Sequence, residues 1–114
     1  MTIHSKNKGA RGEREVAAVL TAAGFPSRRG QQFSGSPDSP DVVNGLPFPA
    51  HVEVKRTERF NVYDAYEQAV ADKGPKDMPL VWHRRSRKPW LVVMEAQDFL
   101  ALVKKAYPQE DILG

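Results

Sequence analysis

The chain has 114 residues, enough for one domain with a modest core, and its 40% hydrophobic content fits a globular protein. No apolar run reaches membrane length, no apolar signal segment opens the chain, and the lack of cysteine excludes disulfides and thiolate zinc sites, a pattern that fits a cytoplasmic protein with no membrane partner. The net charge of +3 is mild, so the placing of the basic residues matters more than their sum.

From about Lys8 to Ala23 the chain reads as a helix, with Val16, Ala17, Leu20 and Ala23 on one apolar stripe and Gly24 as its stop. Glu13 shares that stripe and is expected to point towards a sheet, whereas Glu15 lies well round the helix. A plainer account also covers both: a carboxylate in the first turn of a helix is stabilised by the dipole. Pro26 to Phe33 is predicted as a strand, and Ser34-Gly35-Ser36-Pro37 as loop. Asp41 to Gly45 and Ala50 to Thr57 are predicted strands. The two prolines of Leu46-Pro47-Phe48-Pro49 loosen any pairing at their connection.

Asn61 is placed to cap a second helix running to about Asp72, with Asp64 helping its first turn and Val62, Tyr66, Ala69 and Val70 buried. Lys73 to Met78 is a loop. Leu80 to His83 and Trp90 to Met94 form a predicted hairpin with a basic tip. Glu95 to Tyr107 is a third helix with Phe99, Leu102 and Val103 inward, ended by Pro108. The order is α-β-β-β-α-β-β-α: an α/β fold, a mixed sheet flanked by helices, in a single domain spanning 1–114 with 108–114 as a short tail.

Chemistry concentrates at Pro40-Asp41 and Glu53-Val54-Lys55. Strand side chains alternate, so Glu53 and Lys55 share one face while Val52 and Val54 point to the other. Glu-x-Lys alone is an ordinary solvated edge. A turn centred on Pro47, however, sets Asp41 directly across from Glu53, and opposed residues have Cβ atoms roughly 5 Å apart. Two close carboxylates repel unless a cation lies between them, and oxygen ligands suit a hard ion such as Mg²⁺. A lysine beside it can stabilise developing negative charge or orient a water. That combination suits phosphodiester hydrolysis. Asp38 precedes Pro40 through Ser39 and reads as loop. His4, His51 and His83 are scattered, with none at a metal-ligand spacing. His51 shares the face of Glu53 and reads as a polar edge histidine, and Trp82 and Trp90 as packing residues.

The basic residues cluster. Lys6, Lys8, Arg11 and Arg14 crowd the start, Arg28 and Arg29 form a pair, Lys55, Arg56 and Arg59 follow the candidate site, and Arg84, Arg85, Arg87 and Lys88 lie within five positions. Such runs are often solvated surface, but several beside one acidic site form the footprint of a phosphate-binding face.

Lys8-Gly9-x-x-x-Glu13-Arg14-Glu15, Ser34-Gly35-Ser36, Pro40-Asp41-Val42, Glu53-Val54-Lys55 and Glu67-Gln68-Ala69, in that order, resemble the archaeal-type Holliday-junction resolvases. These belong to the PD-(D/E)xK nucleases with the restriction-endonuclease-like fold. The resemblance spans roughly residues 6 to 105. It implies a metal-dependent endodeoxyribonuclease, with Mg²⁺ as cofactor and Mn²⁺ as a substitute, acting on branched or duplex DNA as a homodimer. It implies Asp41, Glu53 and Glu13 as metal ligands, Lys55 as charge stabiliser or water-positioning group, Ser34 near the scissile phosphate and Gln68 as a supporting polar residue behind the active strand. Lys8, Arg11, Arg14, Arg28, Arg29, Arg56, Arg84, Arg85 and Arg87 become candidate DNA contacts. The segment between Ser36 and Asp41 is short and proline-rich, without the basic residues often seen there, and Arg28 and Arg29 are placed to substitute. The short length is also similar to small resolvase-like proteins carried by phages, for which the location would be the host cytoplasm. The alternatives are another nuclease of the superfamily, of restriction or repair type, and a non-catalytic DNA-binding protein retaining the fold.

Overall fold

The computed structural model describes residues 2–30 and 41–109. Eight elements follow one another: α1 (Thr2–Ala22), β1 (Arg28–Arg29), β2 (Val42–Val43), β3 (Ala50–Arg56), α2 (Val62–Asp72), β4 (Met78–Arg84), β5 (Leu91–Val93) and α3 (Ala96–Ala106). This is the expected order, α-β-β-β-α-β-β-α. The mixed sheet has the strand order β3-β4-β5, with β3 and β4 parallel and β4 and β5 antiparallel. No helix among the described residues is long and apolar enough to cross a membrane.

Parallel neighbours need a crossover, and α2 supplies it between β3 and β4. Its start is capped as the sequence implies: Asn61 Oδ1 accepts from Asp64 N at 3.0 Å. The α3 cap is Glu95, whose carboxylate accepts from the Gln97 and Asp98 amides. The sheet is covered on both faces. On one, Val16, Ala17 and Leu20 of α1 bury against Val52 and Val42, with Val54, Trp82 and Trp90 packed around them. On the other, Ala65 and Ala69 of α2 close over Val81. Gly12 allows α1 to lie close on β3, because a Cβ there would stand 2.9 Å from the Arg56 Cβ. Gly24, at φ +101°, ends the helix in a conformation that only glycine adopts freely.

Five expectations need correction. Helix α1 begins at Thr2 rather than near Lys8, so Glu13 and Glu15 lie in its interior and no first-turn dipole accounts for them. The strand predicted from Asp41 to Gly45 is only Val42–Val43, and it pairs antiparallel with β1, not with β3. Two prolines in the connection, Pro47 and Pro49, prevent a close hairpin there. On α2 it is Ala65 and Ala69 that are buried, while Val62 and Val70 remain exposed, because only small side chains fit where the helix meets Val81. Helix α3 buries none of its residues, and Phe99 (53% exposed) and Val103 face outwards. The strand predicted from Pro26 to Phe33 is reduced to Arg28–Arg29, with Pro26, Ser27 and Gly30 outside it, and 31–33 lie outside the described residues.

Candidate active site

Strand parity on β3 puts His51, Glu53 and Lys55 on one face, and the structure keeps them together. Glu53 is 3% exposed. Its Oε1 lies 2.9 Å from His51 Nε2, and its Oε2 lies 3.8 Å from Lys55 Nζ. Lys55 Nζ donates to Gln68 Oε1 at 2.7 Å, so α2 fixes the ammonium from behind.

Asp41 reaches this group by a route other than a strand ladder. Its carbonyl accepts from Gly30 N at 2.9 Å, which extends the β1–β2 pairing by one bond. Its Oδ2 accepts a long bond, 3.4 Å, from Val54 N on β3. The aspartate thus spans the gap between the two sheets, near enough to Glu53 for that charge to act on it, but not as the directly opposed strand partner that the spacing about Pro47 predicted, because β2 pairs with β1. Glu13 enters from α1, 8% exposed, and accepts from Arg29 Nε at 2.7 Å. Three carboxylates therefore crowd the rim of β3. Burial, then the charges of Glu53 and Glu13, push the Asp41 carboxyl up from 3.8 to about 6. The His51 imidazole is raised from its ordinary value, mainly by its hydrogen bond to Glu53.

Two features escaped the sequence reading. The first is His51, expected as a polar edge residue, which is buried at 7% exposure. It forms, with Glu53 and with Asp72 at the end of α2, a group whose ligand atoms all lie within 4.8 Å of one another. The parity of His51 with Glu53 was visible in the sequence. The approach of Asp72 was not, because it depends on where the α2 crossover ends.

The second is Glu15. It sits among arginines: Arg84 Nη1 donates to its Oε1 at 3.0 Å, and Arg11 Nε and Arg56 Nε each lie 3.3 Å from its Oε2. The Arg56 Nε is buried and not aligned for a hydrogen bond, so charge holds it there. Arg56 and Arg84 are direct partners in the β3–β4 register and would repel without that carboxylate. Arg84 also lies 5.9 Å from the Trp90 ring centroid, a cation–π distance. The Arg11–Glu15 spacing of four was the readable signal.

The candidate DNA contacts therefore divide. Arg11, Arg14, Arg28, Arg85 and Arg87 are exposed, Arg29 is tied to Glu13, and Arg56 and Arg84 are turned onto Glu15. Lys8 lies on α1. Ser34, the rest of its loop and Asp38 lie outside the described residues.

The chain is similar to the solved structure of Archaeoglobus fulgidus Hjc, a Holliday junction resolvase from an archaeal hyperthermophile. The TM-score is 0.56, with 28% identity over 74% of this chain and 73% of that one. The mixed α/β arrangement matches the fold of that protein. No protein-family model and no curated protein matches the chain.

Proposed function

We propose that the chain is a divalent-metal-dependent DNA endonuclease of the Holliday-junction-resolvase type, one nuclease domain from end to end. The observation that carries this reading is the convergence of Asp41, Glu53, Glu13 and Lys55 at the rim of β3, in a fold similar to that of a resolvase.

The donor set fits a hard cation. Three carboxylates supply oxygen ligands, and the Asp41 carboxyl, raised first by burial and then by the charges of Glu53 and Glu13, is one whose charged form a cation would favour. Asp41, Glu53 and Glu13 would hold it, Mg²⁺ by preference with Mn²⁺ substituting. When bound, such an ion polarises a phosphoryl oxygen and acidifies a bound water.

The chain's own groups do the rest. Lys55, held between Gln68 and Glu53, presents a positive charge to the negative charge that develops on the phosphate. Gln68 keeps that ammonium in place. Arg29, paired with Glu13 yet 40% exposed in its side chain, is positioned to pass to a phosphate oxygen when DNA arrives. Ser34 is assigned near the scissile phosphate by resemblance alone. Arg11, Arg14, Arg28, Arg85 and Arg87, with Lys8, supply backbone contacts that position DNA without reading its sequence. A four-way junction offers two equivalent strands, and a two-fold dimer offers two sites related by the same symmetry. The exposed apolar residues of α3 and β5 support a homodimer: Phe99, Leu100 and Val103 on the helix, Leu91 and Val92 on the strand.

Incubation with junction, duplex and single-stranded DNA, with and without Mg²⁺, tests this reading. Mg²⁺-dependent cutting of the junction alone is the expected result. Cutting of plain duplex moves the assignment to another nuclease of the superfamily, and binding without cutting to a DNA-binding protein that retains the fold.

A further inference from the structure

We propose that His51, Glu53 and Asp72 form a second divalent-cation site, which shares Glu53 with the Asp41 side and takes Mn²⁺ in preference to Mg²⁺. This deepens the metal-dependent reading above and rests on it.

Topology builds the group. A parallel β3–β4 pair requires the chain to return from the end of β3 to the start of β4, and Ala50 and Met78 are register partners there. Helix α2 runs back along the face that carries Glu53. Its middle meets the far end of β3, where Gln68 takes Lys55, and its last residue, Asp72, arrives beside His51 near the strand's start. His51 stands two residues before Glu53, hence on the same face.

The distances suit a cation. Two ligands held about 2.1 Å from one ion at right angles lie about 3 Å apart, and His51 Nε2 stands 2.9 Å from Glu53 Oε1. The Asp72 carboxylate closes the third corner within 4.8 Å. Glu53 directs its two oxygens differently, Oε1 towards His51 and Oε2 towards Lys55, the arrangement of a carboxylate that bridges two positions.

Asp72 adds an independent observation. It is an acid at the C-terminal end of α2, where no base occupies the last turn. The helix dipole disfavours an anion there, and a cation removes the conflict. Asp72 is exposed while His51 and Glu53 are buried, which leaves an entry path on one side. One imidazole among carboxylates sets the preference: nitrogen donors suit first-row transition ions, while Mg²⁺ holds to oxygen and its waters.

The probe is Mn²⁺ alone, titrated into the metal-free full chain at neutral pH without DNA. Calorimetry is expected to give two ions per chain, and pulsed EPR to show nitrogen modulation from an imidazole bound to Mn²⁺. His51→Gln removes that modulation and leaves one ion. Asp72→Asn, on an exposed side chain, weakens the second ion at least about tenfold and decides the matter if His51→Gln does not fold. One ion in the wild type, with no nitrogen signal and binding lost in Asp41→Asn, overturns the second site while the metal-dependent reading stands; His51 then only holds the Glu53 carboxylate. Two ions without nitrogen modulation also overturn it. No binding at millimolar Mn²⁺ overturns both.

Discussion

Lys55 and Gln68 meet at 2.7 Å, a strand ammonium held by a helix amide. The contact removes rotamer freedom from a long side chain before substrate arrives. Lys55→Ala is expected to lower kcat at least a hundredfold, about 2.7 kcal/mol of barrier. Gln68→Ala, which leaves the charge but loosens it, should cost roughly tenfold, about 1.4 kcal/mol. Single-turnover cleavage measures both. Equal losses would mean that Gln68 does more than position the lysine.

Glu15 is expected to matter for stability, not chemistry. Glu15→Ala leaves Arg56 and Arg84 side by side in register with no anion between them. The partners are half-buried, so the loss should be about 1–3 kcal/mol, below that of a fully buried pair. Urea denaturation should show a lower midpoint with an unchanged slope. An unaltered midpoint would show that the arginines are held by other contacts.

The metal-free protein should lose stability as pH rises. The Asp41 carboxyl is raised in the fold from 3.8 to about 6, so between those values the folded state binds more protons than the unfolded one, and stability falls as pH climbs through that window. The raised His51 acts in the same direction: its contribution is complete below the unfolded value of 6.5 and is lost as pH passes through its higher folded value. Asp41→Asn should flatten the Tm profile between pH 4 and 6 and raise Tm at pH 7 by roughly 5 °C. A wild-type profile already flat in that range would contradict the crowding of carboxylates.

Much of this site was legible in the sequence, and its limits are physical. Alternation on β3 was enough to separate Val52 from Glu53, because a strand has one period and one core. The cap at Asn61 and the hairpin of β4 and β5 followed from local chemistry. The partner of Val42–Val43 did not, since two-residue strands carry no register of their own and the sequence before them has no apolar alternation. Apolar spacing on α3 predicted burial, yet it shows only that something should cover that face, not that the chain's own sheet does. The Glu15 cluster joins α1, β3 and β4, and tertiary contacts of that range leave only the Arg11 spacing as a local trace.

DNA affinity is assigned to the exposed arginines. Arg85→Ala with Arg87→Ala should weaken binding to junction and duplex alike and reduce the slope of log affinity against log salt by about two. Arg84 is left intact in this test because it holds Glu15. An unchanged slope would move the contact surface to Arg11, Arg14 and Arg28.

Light scattering at micromolar concentration should give about twice the mass of one 12.8 kDa chain. Phe99→Asp with Val103→Asp should return it to a monomer, given how far both already face solvent. The Ile112-Leu113 tail, a lesser apolar candidate from the sequence, lies outside the described residues. A wild-type monomer, both free and with junction DNA, would count against paired cutting and favour a general nuclease.

The central claim is that Asp41, Glu53 and Lys55 cut DNA with a divalent ion, and one comparison tests it most directly. A labelled four-way junction is incubated with the wild type, Asp41→Asn and Glu53→Gln, each with Mg²⁺ and with EDTA. The account expects paired nicks from the wild type in Mg²⁺ only, none from either variant, and junction binding retained by all. Cleavage that survives EDTA, or full activity in Asp41→Asn, would contradict it.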